Sequence, residues 1–223
     1  MARSLTYGGF PPLSKAAACL AFLLAPLPAS ALEILALGDS LTQGYGLPAP
    51  DGLVPQLEGW LQARGHDVTL VNGGVSGDTT AGGLSRVAWS LTPEIDAMIV
   101  TLGGNDVLRG IDPATSRDNL DGILQQAQSQ DVPVLLVGMT APGNYGPEYK
   151  AEFDSIYPAL AETYGTLLFE DFFAGLREGG EMPANLGAVM QADGIHPNAE
   201  GVKKVVAALG PSVEALIAEA EED

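Results

Sequence analysis

Cysteine, histidine and basic residues are all scarce in this sequence. The 223 residues include one cysteine and two histidines, and only 10 lysines and arginines stand against 28 aspartates and glutamates, for a formal net charge of −18. A lone cysteine excludes an internal disulfide or a cysteine-rich metal site, and two histidines exclude a multi-histidine metal centre. The acidity argues against nucleic acid or an anionic membrane surface as a partner, because phosphate binding requires lysine and arginine. We therefore expect neither a metal nor another cofactor.

The sequence also lacks apolar runs long enough to span a membrane. Its longest apolar run has the features of a cleaved leader. Residues 16–27 form an apolar run, shorter than the roughly 20 residues of a membrane-spanning helix. Arg3 and Lys15 precede it, and small residues follow it up to Ala31. This order is typical of a secretory signal peptide. We expect residues 1–31 to be removed together with Cys19 and the protein to be exported, periplasmic or secreted, from a bacterium; an uncleaved anchor is the alternative.

Residues 32–223 are expected to form a single domain, because no repeat, linker or shift in composition divides them. Short apolar runs alternate with segments of helical periodicity, which predicts a parallel sheet covered by helices on both faces. The fold class is therefore α/β, three-layer and flavodoxin-like, with a five-stranded parallel sheet whose strand order the periodicity does not give. The predicted strands are residues 34–37, 68–71, 97–102, 132–137 and 167–169; the longer predicted helices are 53–61, 113–128, 148–164 and 202–218, and a further helix runs through 84–87.

Polar and glycine-rich turns follow the first three predicted strands. Asp39 and Ser40 come after the first, the glycines of residues 73–77 after the second, and Asn105 after the third. The carboxyl ends of parallel strands share one edge of a sheet, so these residues are expected to converge where ligands bind in such folds. Each also has a structural interpretation: Ser40 suits a helix cap and Asn105 a turn.

A histidine and an aspartate before the last predicted helix complete a possible catalytic set. Asp193 and His196 are three residues apart and straddle Gly194. That spacing lets His196 face Ser40 through one ring nitrogen while Asp193 fixes the other. A hydrolytic serine needs such a base, a residue that orients it, and donors for the oxyanion. Taken alone, Asp193 could cap a turn and His196 could be an ordinary loop histidine.

Four sequence blocks resemble those of the GDSL or SGNH hydrolases. They are Gly-Asp-Ser-Leu at residues 38–41, Gly77, Gly-Gly-Asn-Asp at 103–106, and Asp-Gly-Ile-His-Pro at 193–197. The similarity extends over about residues 33–200 and is greatest to the exported bacterial branch described as multifunctional thioesterase, arylesterase and lysophospholipase. One such block would be a weak signal, whereas four in the right order and spacing are a strong one.

The resemblance implies a role for each matching residue in a serine hydrolase that works through an acyl-enzyme. Ser40 would be the nucleophile, His196 the general base and acid, and Asp193 the residue that orients it. The oxyanion hole would consist of the backbone N–H groups of Ser40 and Gly77 and the side-chain amide of Asn105. A glycine at 77 would also let the backbone approach the substrate closely.

Substrate contacts are less well defined by the sequence. Candidate walls of an acyl site are Leu108, Ile111, Pro142 and Tyr145, and Arg109 could meet an anionic group, although the same residues could be core or solvated surface. We expect a monomer that takes a small ester or lipid substrate, with aryl or short-chain esters ranked first, lysophospholipids second and thioesters third. An α/β-hydrolase is disfavoured because no Gly-x-Ser-x-Gly pentapeptide occurs. A noncatalytic extracytoplasmic binding domain with a relic site is the alternative function.

Overall fold

Five parallel strands form one sheet at the centre of the fold. In a computed structural model, which describes Met1 and residues 31–222, the strand order is β2-β1-β3-β4-β5. β1 pairs with β2 on one side and with β3 on the other, so that Ile34 lies opposite both Leu70 and Ala97. The α/β class and the five parallel strands are thus confirmed. The strands are β1 Leu32–Gly38, β2 Val68–Gly74, β3 Ala97–Thr101, β4 Val134–Val137 and β5 Leu167–Phe169.

Helices cover both faces of this sheet. On one face α2 packs against α8, and on the other α5 packs against α3, α6 and α7, which gives three layers. None of the helices in the described part of the chain is long and apolar enough to span a membrane. The helices are α1 Ser40–Gln43, α2 Leu53–Gln62, α3 Thr80–Ser90, α4 Gly104–Arg109, α5 Pro113–Gln128, α6 Pro147–Asp154, α7 Ile156–Tyr164 and α8 Ala199–Glu222.

The observed helices differ from the predicted ones at three places. The single helix expected over 148–164 is broken into α6 and α7, because Pro158 has no N–H to donate to the carbonyl four residues earlier and its ring crowds that carbonyl. The last helix starts at Ala199 because the Asn198 side chain accepts from the N–H groups of Glu200 and Gly201. The six-residue helix α4 was not predicted, since six residues are too few to show a period.

The hydrophobic core lies between the sheet and these helices. All residues of β3 and β4 are buried, as expected for strands covered on both faces. From α8, Val205, Leu209 and Leu216 are fully buried. The core fixes the central strands, so the turns at the carboxyl ends of β1, β2 and β3 are held side by side. The expected signal peptide, residues 1–31, lies outside the described residues apart from Met1 and Ala31, and the segment Ala31–Asp223 is one compact unit.

Candidate active site

The turn after β1 places a serine hydroxyl at the edge of the sheet. Gly38 ends the strand; a Cβ there would lie 2.7 Å from Cβ of Thr42 and 2.9 Å from the carbonyl oxygen of Thr101, so only glycine fits. The N-cap of α1 is Asp39 and not Ser40, since the Asp39 side chain accepts a 2.9 Å hydrogen bond from the N–H of Leu41. Ser40 is therefore the first residue of α1, and its hydroxyl has no capping role.

Ser40, His196 and Asp193 form one chain of hydrogen bonds. His196 Nε2 lies 2.9 Å from Ser40 Oγ, and His196 Nδ1 lies 2.7 Å from Oδ2 of Asp193. Oδ1 of Asp193 accepts from the backbone N–H groups of Ile195 and His196, at 2.9 and 3.1 Å. The hydrogen bond from His196, with these two backbone donors, lowers the pKa of Asp193 to about 2. The carboxylate is therefore ionised at any pH at which the imidazole can act as a base.

Two contacts that the sequence did not indicate support the histidine. The ring of Tyr45 lies against that of His196, with centroids 4.7 Å apart and planes tilted by 38°. Gln191 links the two loops, because its amide donates to the carbonyl oxygens of Tyr45 and Pro197, at 2.8 and 3.0 Å, while its N–H donates to the carbonyl of His196. No motif or spacing marks Tyr45 or Gln191, so only the fold reveals them.

The two other predicted oxyanion donors lie on the neighbouring turns. Gly77 has φ +85°, a conformation that favours glycine. Nδ2 of Asn105 donates to Oδ2 of Asp39 at 3.1 Å and to the carbonyl of Asp78 at 2.9 Å. Both amide hydrogens thus have protein acceptors. A substrate oxygen would share one of these hydrogens or take the place of one acceptor.

A second aspartate, next to Asn105, is buried and ties α4 to its neighbours. Asp106 is fully buried and accepts from the N–H and hydroxyl of Thr80, at 2.9 and 2.5 Å, and from the hydroxyl of Ser116, at 2.9 Å. The sequence left its role open. These bonds fix the first turn of α4, and with it Asn105, against α3 and α5.

Asp39 is nearly inaccessible to water, with 1% of its surface exposed. Burial raises its pKa to about 6, although the hydrogen bonds from the Leu41 N–H and from Asn105 act in the opposite direction. The folded protein therefore binds a proton at Asp39 more tightly than the unfolded chain does. The stability that comes from this proton is fully present below the unfolded pKa of 3.8 and is lost as the pH rises through 6.

The Asp39→Asn variant should reveal this titration in a pH series of chemical denaturation. Relative to the parent, the unfolding free energy of the variant should increase between pH 4 and pH 8 by up to about 3 kcal/mol, because each pKa unit corresponds to about 1.4 kcal/mol. The exposed Asp118→Asn serves as a control for the loss of one carboxylate at the surface. A difference between Asp39→Asn and the parent that stays constant with pH would contradict this.

An apolar cavity of about 570 Å³ opens beside Ser40 and His196. Of the five predicted substrate contacts, Leu108 and Pro142 line it, whereas Arg109, Ile111 and Tyr145 do not. Much of the wall comes from residues 173–195, an irregular segment in which the spacing of residues does not indicate which side chains face the cavity. The main apolar lining residues are Val107, Leu108, Met139, Pro142, Phe173, Met182, Met190 and Ile195.

Within residues 31–222, no three histidine, cysteine, aspartate or glutamate side chains are grouped so as to hold an ion. The other histidine, His66, lies on a different part of the surface, with Nε2 3.1 Å from Oε1 of Glu214. The polar groups at the cavity can supply a nucleophile, a base and hydrogen-bond donors, which are the groups that acyl transfer requires.

Comparison with known proteins finds the same family along most of the chain. The model of the GDSL-like lipase/acylhydrolase family matches residues 36–204. Esterase TesA of Pseudomonas aeruginosa is 38% identical over 200 residues, which are 89% of this chain and 96% of that protein. An arylesterase of Vibrio mimicus is 35% identical over 184 residues, 81% of this chain and 88% of that protein.

A solved structure is also similar over most of the chain. The crystal structure of AlinE4, an esterase of the SGNH-hydrolase family, superposes with a TM-score of 0.68 at 42% sequence identity. The match covers 84% of this chain and 97% of the AlinE4 chain. The part of the chain that matches the family model, residues 36–204, includes the turns that carry Ser40, Asn105 and His196.

Proposed function

The chain belongs to the GDSL-like lipase/acylhydrolase family and is an ester hydrolase, and from this premise we propose that it cleaves esters through an acyl-enzyme on Ser40. In this proposal His196 is the general base and acid, and Asp193 orients it. The observation that carries the proposal is the continuous set of hydrogen bonds from Ser40 Oγ through the imidazole to the Asp193 carboxylate.

Acylation begins with attack of Ser40 Oγ on the ester carbonyl. His196 Nε2, 2.9 Å away, takes the hydroxyl proton. The positive charge that forms on the imidazole is stabilised by Asp193, which also keeps the remaining proton on Nδ1 so that Nε2 is free to accept. The tetrahedral intermediate then collapses, the bond to the leaving oxygen breaks, and His196 returns its proton to that oxygen.

The oxyanion of the intermediate is stabilised by preorganised donors. These are the backbone N–H groups of Ser40 and Gly77 and the amide of Asn105. Removal of one such donor typically costs about 10²–10³ in kcat. Asp39 and the carbonyl of Asp78 hold the Asn105 side chain in place before substrate binds, and the substrate oxygen shares one of its amide hydrogens or displaces one of these acceptors.

Deacylation repeats these steps with water as the nucleophile. His196 takes a proton from the water that attacks the acyl carbonyl, the same donors stabilise the second oxyanion, and the proton returns to Ser40 Oγ as the carboxylic acid leaves. Activity should fall in acid, because a protonated His196 cannot accept the serine proton.

The preferred substrates in this proposal are neutral aryl or short-chain esters, with lysophospholipids second and thioesters third. The cavity is lined mainly by apolar side chains, and three methionines among them can adapt to acyl groups of different shape. The net charge of −18 disfavours polyanionic substrates such as acyl-coenzyme A at low salt. The protein would act as a monomer, without a partner protein or nucleic acid.

A series of aryl esters of increasing acyl length tests the role of this cavity. While the cavity has room, kcat/KM should rise by up to about four-fold per methylene, because burying one contributes about 0.8 kcal/mol. Met182→Gln should reduce the rate for octanoate more than for acetate, whereas the exposed Leu186→Gln, outside the cavity, should change neither. A rate that falls from acetate onwards would contradict an acyl site here.

We also propose that the protein is exported with residues 1–31 removed. The basic start, the apolar run and the small residues before Leu32 support this. Expression of the full chain in a bacterium should yield periplasmic or secreted protein whose amino terminus, read by mass spectrometry, is Leu32. Retention of residues 1–31 on membrane-bound protein would instead indicate an anchor.

A further inference from the structure

Two side chains of helix α4 donate hydrogen bonds to consecutive backbone carbonyl groups, those of Gly77 and Asp78. Arg109, the last residue of α4, donates a 2.7 Å hydrogen bond from a terminal guanidinium nitrogen to the carbonyl oxygen of Gly77. Asn105, four residues earlier on the same face of the helix, donates to the carbonyl of Asp78 at 2.9 Å. The helix that supplies one oxyanion donor is thus joined directly to the backbone that supplies another.

Two side-chain contacts hold this turn on either side of Gly77. The hydroxyl of Ser76 donates to Oε1 of Gln43 at 2.7 Å. The carboxylate of Asp78 accepts from Nε of Arg86 at 2.8 Å. Gly77 itself has no side chain and has φ +85°. Although the N–H of Asp78 closes the turn by donating to the carbonyl of Val75 at 3.0 Å, Gly77 is the point of the turn whose φ and ψ are restricted least by side chains. The bond from Arg109 acts on that point.

We propose that Arg109 is a positioning residue that keeps the Gly77 N–H aimed at the oxyanion. The hydrogen bond from the guanidinium holds the Gly77 carbonyl in place. It thereby restricts rotation about the φ and ψ bonds of Gly77, so that the Gly77 N–H keeps one direction. This rests on the proposed function, in which Gly77 donates to the oxyanion. A role in binding an anionic substrate group is less consistent with the structure, because Arg109 does not line the cavity.

Kinetics of Arg109→Met with a neutral aryl ester test the proposal. Methionine keeps the aliphatic stem but has no donor. We expect kcat to fall by about 10- to 100-fold with KM changed less than three-fold, since loss of a whole oxyanion donor costs about 10²–10³ and here the donor is only misdirected. Arg109→Lys should recover part of the loss, because it keeps the charge but lacks the guanidinium fork. The exposed Arg117→Met on α5 is the matched control and should match the parent.

A tetrahedral inhibitor separates this role from a structural one. An arylboronic acid forms a tetrahedral anion on the serine, so its inhibition constant in Arg109→Met should weaken by the same factor as kcat/KM. Affinity for an uncharged amide analogue of the substrate should not change, and 20 mM guanidinium should restore part of the activity of Arg109→Ala.

Other outcomes would overturn the inference. Unchanged kcat and boronate affinity in Arg109→Met would show that Gly77 is held without Arg109. A rise in KM confined to substrates that bear a carboxylate would identify Arg109 as a substrate-binding residue. Failure of the proposed function would look different, because the parent enzyme would then not be inhibited by the boronate at all and Ser40→Ala would keep its activity.

Discussion

Ser40→Ala is expected to lower kcat for an aryl ester by about 10⁶-fold, the scale seen when the nucleophile of such a triad is removed. Without the hydroxyl no acyl-enzyme can form, and His196 has no proton to accept from residue 40. The oxyanion donors remain, so a residual rate above that of the uncatalysed reaction should persist. Initial rates at saturating substrate, with highly purified variant, measure the loss.

The fold should be unaffected by the Ser40→Ala change. The hydroxyl does not cap α1, because Asp39 performs that role, and the hydrogen bonds that Ser40 contributes to the turn come from its backbone carbonyl. Circular dichroism and thermal unfolding should therefore match the parent. The exposed Ser85→Ala is the matched control and should keep full activity. A Ser40→Ala variant with a normal rate would exclude the proposed mechanism.

Asp193→Asn is expected to lower kcat/KM by about 10³- to 10⁴-fold, as when the orienting carboxylate of a triad is made an amide. The asparagine oxygen can still accept from the N–H groups of Ile195 and His196. Its NH₂ group would then face Nδ1 of His196, which favours the tautomer with the proton on Nε2. In that tautomer the imidazole cannot take the proton of Ser40.

The pH dependence of Asp193→Asn separates this effect from a loss of folding. The variant should unfold at nearly the same temperature as the parent and should regain rate at high pH, where hydroxide can replace the imidazole as the base. The exposed Asp118→Asn should behave as the parent does. A loss of less than ten-fold in Asp193→Asn would mean that the carboxylate, whose side chain is 35% exposed, does not control the histidine.

The sequence predicted the fold class because the sheet is built from short apolar runs with glycine-containing turns after them. All five strands overlap the predicted runs: the boundaries of β1, β3, β4 and β5 differ from the predicted ones by two residues or fewer, and β2 extends three residues further, to Gly74. The sequence did not predict the order of the strands in the sheet, because the order depends on which strands pair and periodicity describes each strand alone. The break between α6 and α7 was readable in principle from Pro158, whereas α4 is too short to show a pattern.

The site residues that lie in short motifs of local sequence were predicted, and those that join the site only through tertiary contacts were missed. Ser40, Asn105, Asp193 and His196 each follow a strand or precede a helix, and the structure brings them together. Tyr45, Gln191 and the methionine lining come from irregular loops, where nothing in the spacing indicates which residues face the cavity. The sequence suggested Arg109 as a contact for an anionic substrate group. Its hydrogen bond to the Gly77 carbonyl depends on tertiary structure and could not be predicted.

Covalent labelling of the parent enzyme with an alkyl fluorophosphonate tests most directly whether Ser40 is the activated nucleophile. Intact-mass analysis should show one adduct per chain, formed together with loss of activity, and peptide mapping should place it on Ser40. Ser40→Ala should remain unlabelled, and Asp193→Asn should label far more slowly. An adduct on another residue, or an active enzyme that takes up no label, would contradict the mechanism.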